Sequence, residues 1–246
     1  MRFFPFFLIF LICFKSYASQ KIHVAVASNF ISTFNEIKKN FLQINNGLIL
    51  VSKGSTAKLY SQIMNDAPID FFLSADQKTI LKIPQNKKID KSQFTYAIGN
   101  IVFFSKRKIN NLNEIFTRNK NKRMVIANPK LSPYGEASKI YLKAIDIWPL
   151  VEKNIILATN INQVSSFIYS GNADLGIVSF SDTLKLVRYN LGYLEKIPEY
   201  KYPKIKQDAI LLTKAKNNKF CKLFYNYLKS EDAKKIIISY GYKIMN

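Results

Sequence analysis

Residues 23–41 read HVAVASNFISTFNEIKKNF, and two periodicities follow one another within this stretch. Its first five residues are mainly apolar and predict a buried β-strand. After the polar pair Ser28-Asn29, apolar residues recur at spacings of four, three and four, which predicts one face of an α-helix. These residues are Phe30, Phe34, Ile37 and Phe41. The stretch therefore has the strand–turn–helix order of an α/β protein.

The same order recurs along the chain. The further predicted strands are residues 48–51, 70–74, 124–127, 155–157 and 175–180. Strands that alternate with helices at this pace predict a mostly parallel sheet covered by helices on both faces. Two apolar stretches, 96–105 and 209–212, are candidates for strands that cross between two lobes. There is no internal repeat and no low-complexity linker, so we expect any domain boundary to lie at these crossings.

Residues 1–18 have the features of a secretory signal peptide. Arg2 is followed by twelve apolar residues, and small residues precede the expected cleavage site after Ala18. Twelve apolar residues are too few to span a bilayer core of about 30 Å. We therefore expect a soluble mature chain that is exported to the periplasm.

The residue inventory excludes several classes of site. The chain has 246 residues and is 48 % hydrophobic, enough for a large core, but it contains one histidine and two cysteines. A zinc finger, a histidine metal cluster and a disulfide framework are excluded. Cys13 lies in the predicted signal peptide. We expect Cys221 to be a buried thiol on a helix face, and His23 to be a hydrogen-bonded histidine in the core or at its rim.

The positive charge does not indicate a nucleic-acid partner. Lys and Arg number 37 against 16 Asp and Glu, a formal net charge of +21. The lysines are scattered, the longest basic block is Lys106-Arg107-Lys108, and no aromatic RNA-binding signature is present. We interpret the charge as a general compositional bias and expect no nucleic-acid binding.

Four predicted strand-to-helix turns are rich in small polar residues. They are Ser28-Asn29, residues 54–56, residues 132–135 and Thr159-Asn160. Helix N-termini present free backbone N–H groups and bind anions, and ligands of open α/β sheets lie at the carboxyl ends of the strands, where these turns are. The alternative is that the side chains only cap their helices. Both interpretations remain open at this point.

A series of short motifs makes the chain recognisable. In order, they are VASNF (26–30), GST (54–56), AP (67–68), FLSAD (72–76), FTYAIG (94–99), IANP (126–129), PYG (133–135), ADLG (173–176), YLK (227–229) and SYGY (239–242). With this order and spacing the chain resembles, over about residues 21–243, the molybdate-binding periplasmic proteins of ABC transporters, which are type II periplasmic binding proteins.

This resemblance implies two α/β lobes joined by crossing strands, with an oxyanion in the cleft between them. Lobe I would comprise residues 19–98 with 206–246, and lobe II residues 99–205. The protein would capture molybdate, and also tungstate, and deliver it to a membrane ABC permease. We expect a monomer that is not an enzyme, has no catalytic residues and requires no cofactor.

The resemblance also implies which residues contact the anion. They are Ser28, Asn29, Ser55, Thr56, Tyr134 and Ile161. Thr56 replaces a serine that is common in the family but keeps a hydroxyl donor. Ile161 replaces a common valine, with little consequence for a contact through the backbone N–H. Ser179 stands where some members have a tyrosine, so a tyrosine contact there is lost or replaced.

The chemistry of these residue types agrees with the resemblance. Molybdate and tungstate carry no proton near pH 7, so their site needs only hydrogen-bond donors, whereas phosphate retains a proton and favours a carboxylate acceptor. No residue of the implied set is charged, and the anion would be held through its oxygens without direct metal ligands. We expect Glu136 to cap a helix or face solvent, and Lys53, Lys58 and Lys130 to be solvated.

Three alternatives remain. Sulfate or another tetrahedral oxyanion would suit the same donors, since the sequence does not reveal cavity size. An enzyme on the same scaffold would need a nucleophile or an acid–base pair in the cleft, for which Cys221 and His23 are misplaced; Asp70, Asp76 and Asp174 do not form a convincing catalytic set. Nucleic-acid binding would rest on charge alone.

Overall fold

The strands and helices follow the alternation that the sequence predicts. The structure, a computed structural model, describes residues 20–109, 114, 116, 122–183 and 192–245. The predicted signal peptide and Cys13 lie outside these ranges. In the part of the chain that is described, no helix has the length and apolar character needed to cross a membrane.

The described strands form two sheets. In chain order they are β1 (Lys21–Ala27), β2 (Leu48–Gly54), β3 (Phe71–Leu73), β4 (Phe94–Gly99), β5 (Ile101–Ser105), β6 (Met124–Ala127), β7 (Ile156–Ala158), β8 (Leu175–Ser179), β9 (Tyr193–Lys196) and β10 (Ile205–Leu211). The first sheet has the order β2-β1-β3-β10-β4 and the second the order β7-β6-β8-β5-β9. We call the first sheet with its helices lobe I, and the second with its helices lobe II.

Helices cover both sheets. They are α1 (Ile31–Ile44), α2 (Thr56–Met64), α3 (Lys78–Leu81), α4 (Pro133–Ala144), α5 (Trp148–Val151), α6 (Ile161–Tyr169), α7 (Lys219–Leu228) and α8 (Glu231–Ser239). Alternate residues of β1 point to opposite faces: Val24 and Val26 join a core with α1 and α7, and Ala25 joins another with α2. The predicted two-lobed α/β class, with helices on both faces, is confirmed.

Each sheet is mixed, whereas the sequence predicted a mostly parallel sheet, and the arrangement is the same in both lobes. In the first, β1 is parallel to β2 and β3, while β10 is antiparallel to β3 and β4. In the second, β6 is parallel to β7 and β8, while β5 is antiparallel to β8 and β9. The antiparallel pairs all involve a strand that carries the chain from one lobe to the other, because such a strand enters its sheet against the direction of its neighbours.

Within the described strands, the chain passes from one sheet to the other at two places. β4 and β5 belong to different sheets and are separated only by Asn100. The chain returns between β9 and β10. β10 begins at Ile205, earlier than the predicted stretch 209–212. The sequence pattern did not reveal this start, because buried polar side chains interrupt the apolar run of the strand.

The strand register brings the four polar turns to the facing edges of the two sheets. In lobe I, Ala27 at the end of β1 lies opposite Gly54 at the end of β2. In lobe II, Ala127 at the end of β6 lies opposite Ala158 at the end of β7. Ala27 is packed in the same buried cluster as Ala127, so these ends of the two lobes are in contact.

The core of lobe I is rich in phenylalanine. The ring of Phe224, on α7, is fully buried, and its centroid lies 5.6 Å from that of Phe34, 5.1 Å from that of Phe41 and 6.3 Å from that of Phe71. This ring therefore joins α7 to α1 and to the sheet.

The Phe224→Ala substitution should lower the free energy of unfolding by about 3–5 kcal/mol, because it removes a fully buried ring and leaves a cavity. Urea denaturation would measure the change. Leu223→Ala, on the same helix but 49 % exposed, is the matched control and should change stability by less than about 0.5 kcal/mol. Equal losses in the two variants would contradict this account of the core.

Candidate functional site

The turn after β1 places a buried amide between the lobes. Residues Ser28–Phe30 form one turn of 3₁₀-helix, and Asn29 is 2 % exposed. Its Nδ2 donates to Gln207 Oε1 at 2.7 Å and lies 3.1 Å from Tyr242 Oη and 3.3 Å from Tyr134 Oη. The two amide hydrogens thus face three oxygens from distant parts of the chain, and Tyr134 belongs to the opposite lobe.

Tyr134 reaches this position because of the glycine that follows it. A Cβ atom on Gly135 would lie 2.2 Å from the carbonyl oxygen of Ala127, so only glycine lets the first turn of α4 lie against the end of β6. The Tyr134 hydroxyl in turn occupies the space beside Gly99, where a Cβ atom would lie 1.9 Å from it. Burial raises the pKa of Tyr134 well above its ordinary value, so this phenol is a neutral donor.

The second turn meets the third. Ser55 precedes α2 and is 5 % exposed, and the Oγ1 of Thr56 accepts from the Ala75 N–H at 3.2 Å. The next N–H, of Ala57, donates to the carbonyl oxygen of Leu131 at 3.2 Å. This hydrogen bond joins the N-terminus of α2 in lobe I to the loop before α4 in lobe II.

The fourth turn meets the first. Ile161 is the first residue of α6 and is 1 % exposed. Helix α6 packs against the Ser28–Phe30 turn of the opposite lobe. The structure therefore brings all six predicted anion-contacting residues to the interface between the lobes, and all six are buried. Two of the six residues, Asn29 and Tyr134, are joined directly by a hydrogen bond.

Helix capping explains one of the four turns. Asn160 accepts from the N–H of Gln163 at 3.2 Å and so caps α6. Among the described residues, no side-chain capping bond is made at the start of the Ser28–Phe30 turn, by Ser55 at α2 or by Ser132 at α4. The hydroxyls of Ser28 and Ser55 have no hydrogen-bond partner within the described ranges and remain available as donors.

A half-buried carboxyl lies behind the site. The Oγ of Ser179 donates to Asp182 Oδ2 at 2.7 Å and lies 3.2 Å from the Oγ of Ser181, which is 2.8 Å from Tyr242 Oη. Burial raises the pKa of Asp182 to about 7. Ser179 stands at the position where some members of the family have a tyrosine. Its hydroxyl does not replace a tyrosine contact but donates a hydrogen bond to this carboxyl.

Sequence reasoning missed three polar residues that hold the site together. Gln207, Ser181 and Tyr242 are all buried and all contact Asn29, the last two through its backbone oxygen at 3.3 and 2.8 Å. A signal was present for Gln207: an uncharged polar residue beside the apolar run of a strand. Tyr242 belongs to the motif SYGY (239–242), to which no contact was assigned, and Ser181 shows no comparable signal.

The remaining candidates have structural roles. The ring nitrogens of His23 lie 3.0 Å from the Pro68 oxygen and 2.8 Å from the Ser52 hydroxyl, and Cys221 is fully buried, which confirms both predictions. Glu136 is half-exposed and also forms an ion pair across the cleft with Lys78 at 3.2 Å. Asp76 and Asp174 accept from nearby backbone N–H groups.

Asp76 accepts from the backbone N–H of Thr79, and Asp174 accepts from the backbone N–H of Arg123, each at 2.8 Å. In the described ranges, no group of three or more His, Cys, Asp or Glu side chains is placed to hold a metal ion.

A family model describes proteins of this architecture. The model for bacterial extracellular solute-binding proteins matches residues 22–243. The chain belongs to this family. As a solute-binding protein it is not an enzyme, and proteins of this type bind their ligand without a cofactor.

Two molybdate-binding proteins and one solved structure are similar to this solute-binding protein over most of its length. The molybdate-binding protein ModA of Azotobacter vinelandii is 33 % identical over 227 residues, which cover 91 % of this chain and 90 % of the relative. ModA of Rhodobacter capsulatus is 29 % identical over 228 residues, covering 92 % and 89 %. The solved structure of the A. vinelandii periplasmic molybdate-binding protein superposes with a TM-score of 0.85 at 28 % identity, covering 92 % of this chain and 100 % of that one.

The half-buried carboxyl of Asp182 should make stability fall as pH rises. Its pKa is about 7 in the folded chain against an ordinary 3.8, so the folded state holds a proton that the unfolded state releases between these values. The free energy of unfolding therefore decreases from about pH 4 to about pH 7, and Asp182→Asn should remove this part of the slope.

Urea denaturation across that pH range measures the effect. Asp146→Asn is the control, because Asp146 is exposed and its left-handed backbone (φ 57°) accepts asparagine. If Asp182→Asn and the control retain the same pH slope, the carboxyl of Asp182 is not protonated on folding.

Proposed function

We propose that this protein binds molybdate, and tungstate in the same way, where the four turns meet between the lobes. The observation that carries the proposal is a set of buried, uncharged donors from both lobes gathered around Asn29 and Tyr134. The named molybdate-binding relatives, which match over about nine-tenths of the chain, support the same ligand.

The anion contacts in this proposal are Ser28, Asn29, Ser55, Thr56, Tyr134 and Ile161. The hydroxyls of Ser28 and Ser55, which have no partner among the described residues, and the neutral phenol of Tyr134 supply side-chain donors. Ile161, at the first position of α6, supplies a backbone N–H that has no partner within its own helix. This donor set suits an oxyanion that carries no proton.

Neutral donors suffice for a dianion when they are fixed before it arrives. Water is excluded from residues that are at most 7 % exposed, and hydrogen bonds to a charged acceptor are about twice as strong as those between neutral groups. The packed turns hold the donors in place, so binding requires little rearrangement within each lobe.

Lobe closure completes the site in this mechanism. Lobe I would comprise residues 19–98 with 206–246 and lobe II residues 99–205, joined at the crossings. Contacts between them include Asn29 to Tyr134, the Ala57 N–H to Leu131, and Lys78 to Glu136. The anion drives closure only through contacts that are better in the closed state, and these are the bonds to lobe II.

The protein would deliver its anion outside the cytoplasm. A cleavable signal peptide at residues 1–18 would export it to the periplasm, where the monomer would release molybdate to a membrane ABC permease. The match to a family of extracellular solute-binding proteins supports this location.

Thermal unfolding of residues 19–246 with separate additions of molybdate, tungstate, sulfate and phosphate tests the ligand. A bound anion at about 100 times its Kd should add about 2.7 kcal/mol to the free energy of unfolding. We expect a rise in Tm with molybdate and tungstate. A larger rise with sulfate or phosphate would overturn the ligand, and no rise with any of the four would overturn the site.

Substitution of the donors tests the contacts. Asn29→Ala and Thr56→Ala should each weaken molybdate binding by about 1–3 kcal/mol, because each removes a polar group from the buried site. Titration calorimetry measures the affinity. Asn65→Ala and Thr213→Ala, both at exposed positions, are the matched controls and should bind as the wild type does. Wild-type affinity in both site variants would contradict the assignment.

A further inference from the structure

Gln207 lies on β10, the strand that returns the chain to lobe I, and its side chain is fully buried. The pairing of β10 with β4 is irregular here: Gln207 lies opposite Ala97 and Asp208 opposite Thr95, which leaves Tyr96 as an extra residue. A bulge of this kind changes where the neighbouring side chains point. In this protein it directs Tyr96 and Gln207 toward the same place.

The amide of Gln207 bonds with both lobes. Its Oε1 accepts from Asn29 Nδ2 at 2.7 Å and lies 3.1 Å from Tyr96 Oη, and its Nε2 donates to Tyr134 Oη at 3.2 Å. Tyr96 also lies 3.0 Å from the Ser74 carbonyl oxygen, which holds it in place. One amide thus links an anion-contacting residue of lobe I to one of lobe II.

These bonds determine where the Tyr134 hydrogen points. Two N–H donors, from Gln207 and Asn29, face the oxygen of Tyr134. A phenol has a single hydrogen, and an oxygen that accepts from two donors must direct that hydrogen away from both. A bound oxyanion, which carries full charge and accepts only, is a strong acceptor for this hydrogen.

We propose that Gln207 is a positioning residue for anion binding: by donating to the Tyr134 oxygen it turns the hydroxyl hydrogen of Tyr134 toward the ligand. The inference rests on the proposed function and extends it to a residue that does not itself touch the anion. Because its two partners belong to different lobes, Gln207 also couples binding to closure.

A double-mutant cycle for molybdate affinity tests the proposal. Gln207→Met keeps the length of the side chain but removes its donor and acceptor, and Tyr134→Phe removes the hydroxyl. Each single variant should weaken binding about tenfold. If Gln207 acts through the hydroxyl, the double variant should bind within about twofold of Tyr134→Phe alone. Losses that multiply, or an unchanged affinity in Gln207→Met, would overturn the proposal.

Two further variants separate positioning from folding. Gln93→Met is the matched control, because the Nε2 of Gln93 donates to Asp208 at 2.6 Å, beside Gln207 in the chain. It should retain wild-type affinity. Gln207→Glu keeps the shape but replaces the Nε2 donor by an acceptor that takes the Tyr134 hydrogen, so it should weaken binding more than Gln207→Met. Wild-type binding by Gln207→Glu would also overturn the proposal.

Wild-type titrations with molybdate and sulfate distinguish failure of the proposed ligand from failure of the positioning role of Gln207. Binding of sulfate alone would overturn the molybdate proposal, and the cycle would then be measured with sulfate. Binding of neither anion would overturn both proposals. Molybdate binding with independent effects at Gln207 and Tyr134 would overturn only the positioning role.

Discussion

The amide of Asn29 is the constraint on which the arrangement of this protein depends. A buried polar group without a partner costs about 1–3 kcal/mol, so Asn29 can occupy its position only if oxygen acceptors surround it. Those acceptors come from α4, from β10 and from the C-terminal Tyr242. One side chain therefore holds together both lobes and Tyr242, and this hydrogen-bonded cluster lies where the anion is proposed to bind.

Close backbone approach makes this arrangement possible. Gly135 lets α4 begin against the end of β6, and Gly99 leaves room for the Tyr134 hydroxyl beside the crossing strands. Neither glycine has an unusual backbone angle in the described structure, so each is needed for space and not for conformational freedom. The short motif Pro-Tyr-Gly thus has a physical basis: its glycine positions its tyrosine.

The site is uncharged at its surface and has a carboxyl behind it. Asp182 is separated from Tyr242 and Asn29 by the hydroxyls of Ser179 and Ser181. Its raised pKa means that part of the population is a neutral acid near pH 7, which limits repulsion of a dianion. Among the residues that the structure describes, no lysine belongs to this cluster of donors, so those lysines do not form the proposed contacts.

The α/β alternation, the polar turns and the family could be predicted from the sequence, because apolar periodicity and short motifs are local properties of the chain. The antiparallel pairing of the crossing strands, the early start of β10 and the cluster around Asn29 were decided by tertiary structure. Gln207, Ser181 and Tyr242 lie 178, 152 and 213 residues from Asn29 in the chain. A buried hydrogen bond over such a separation leaves no periodic signal, since only the folded lobes bring its donor and acceptor together.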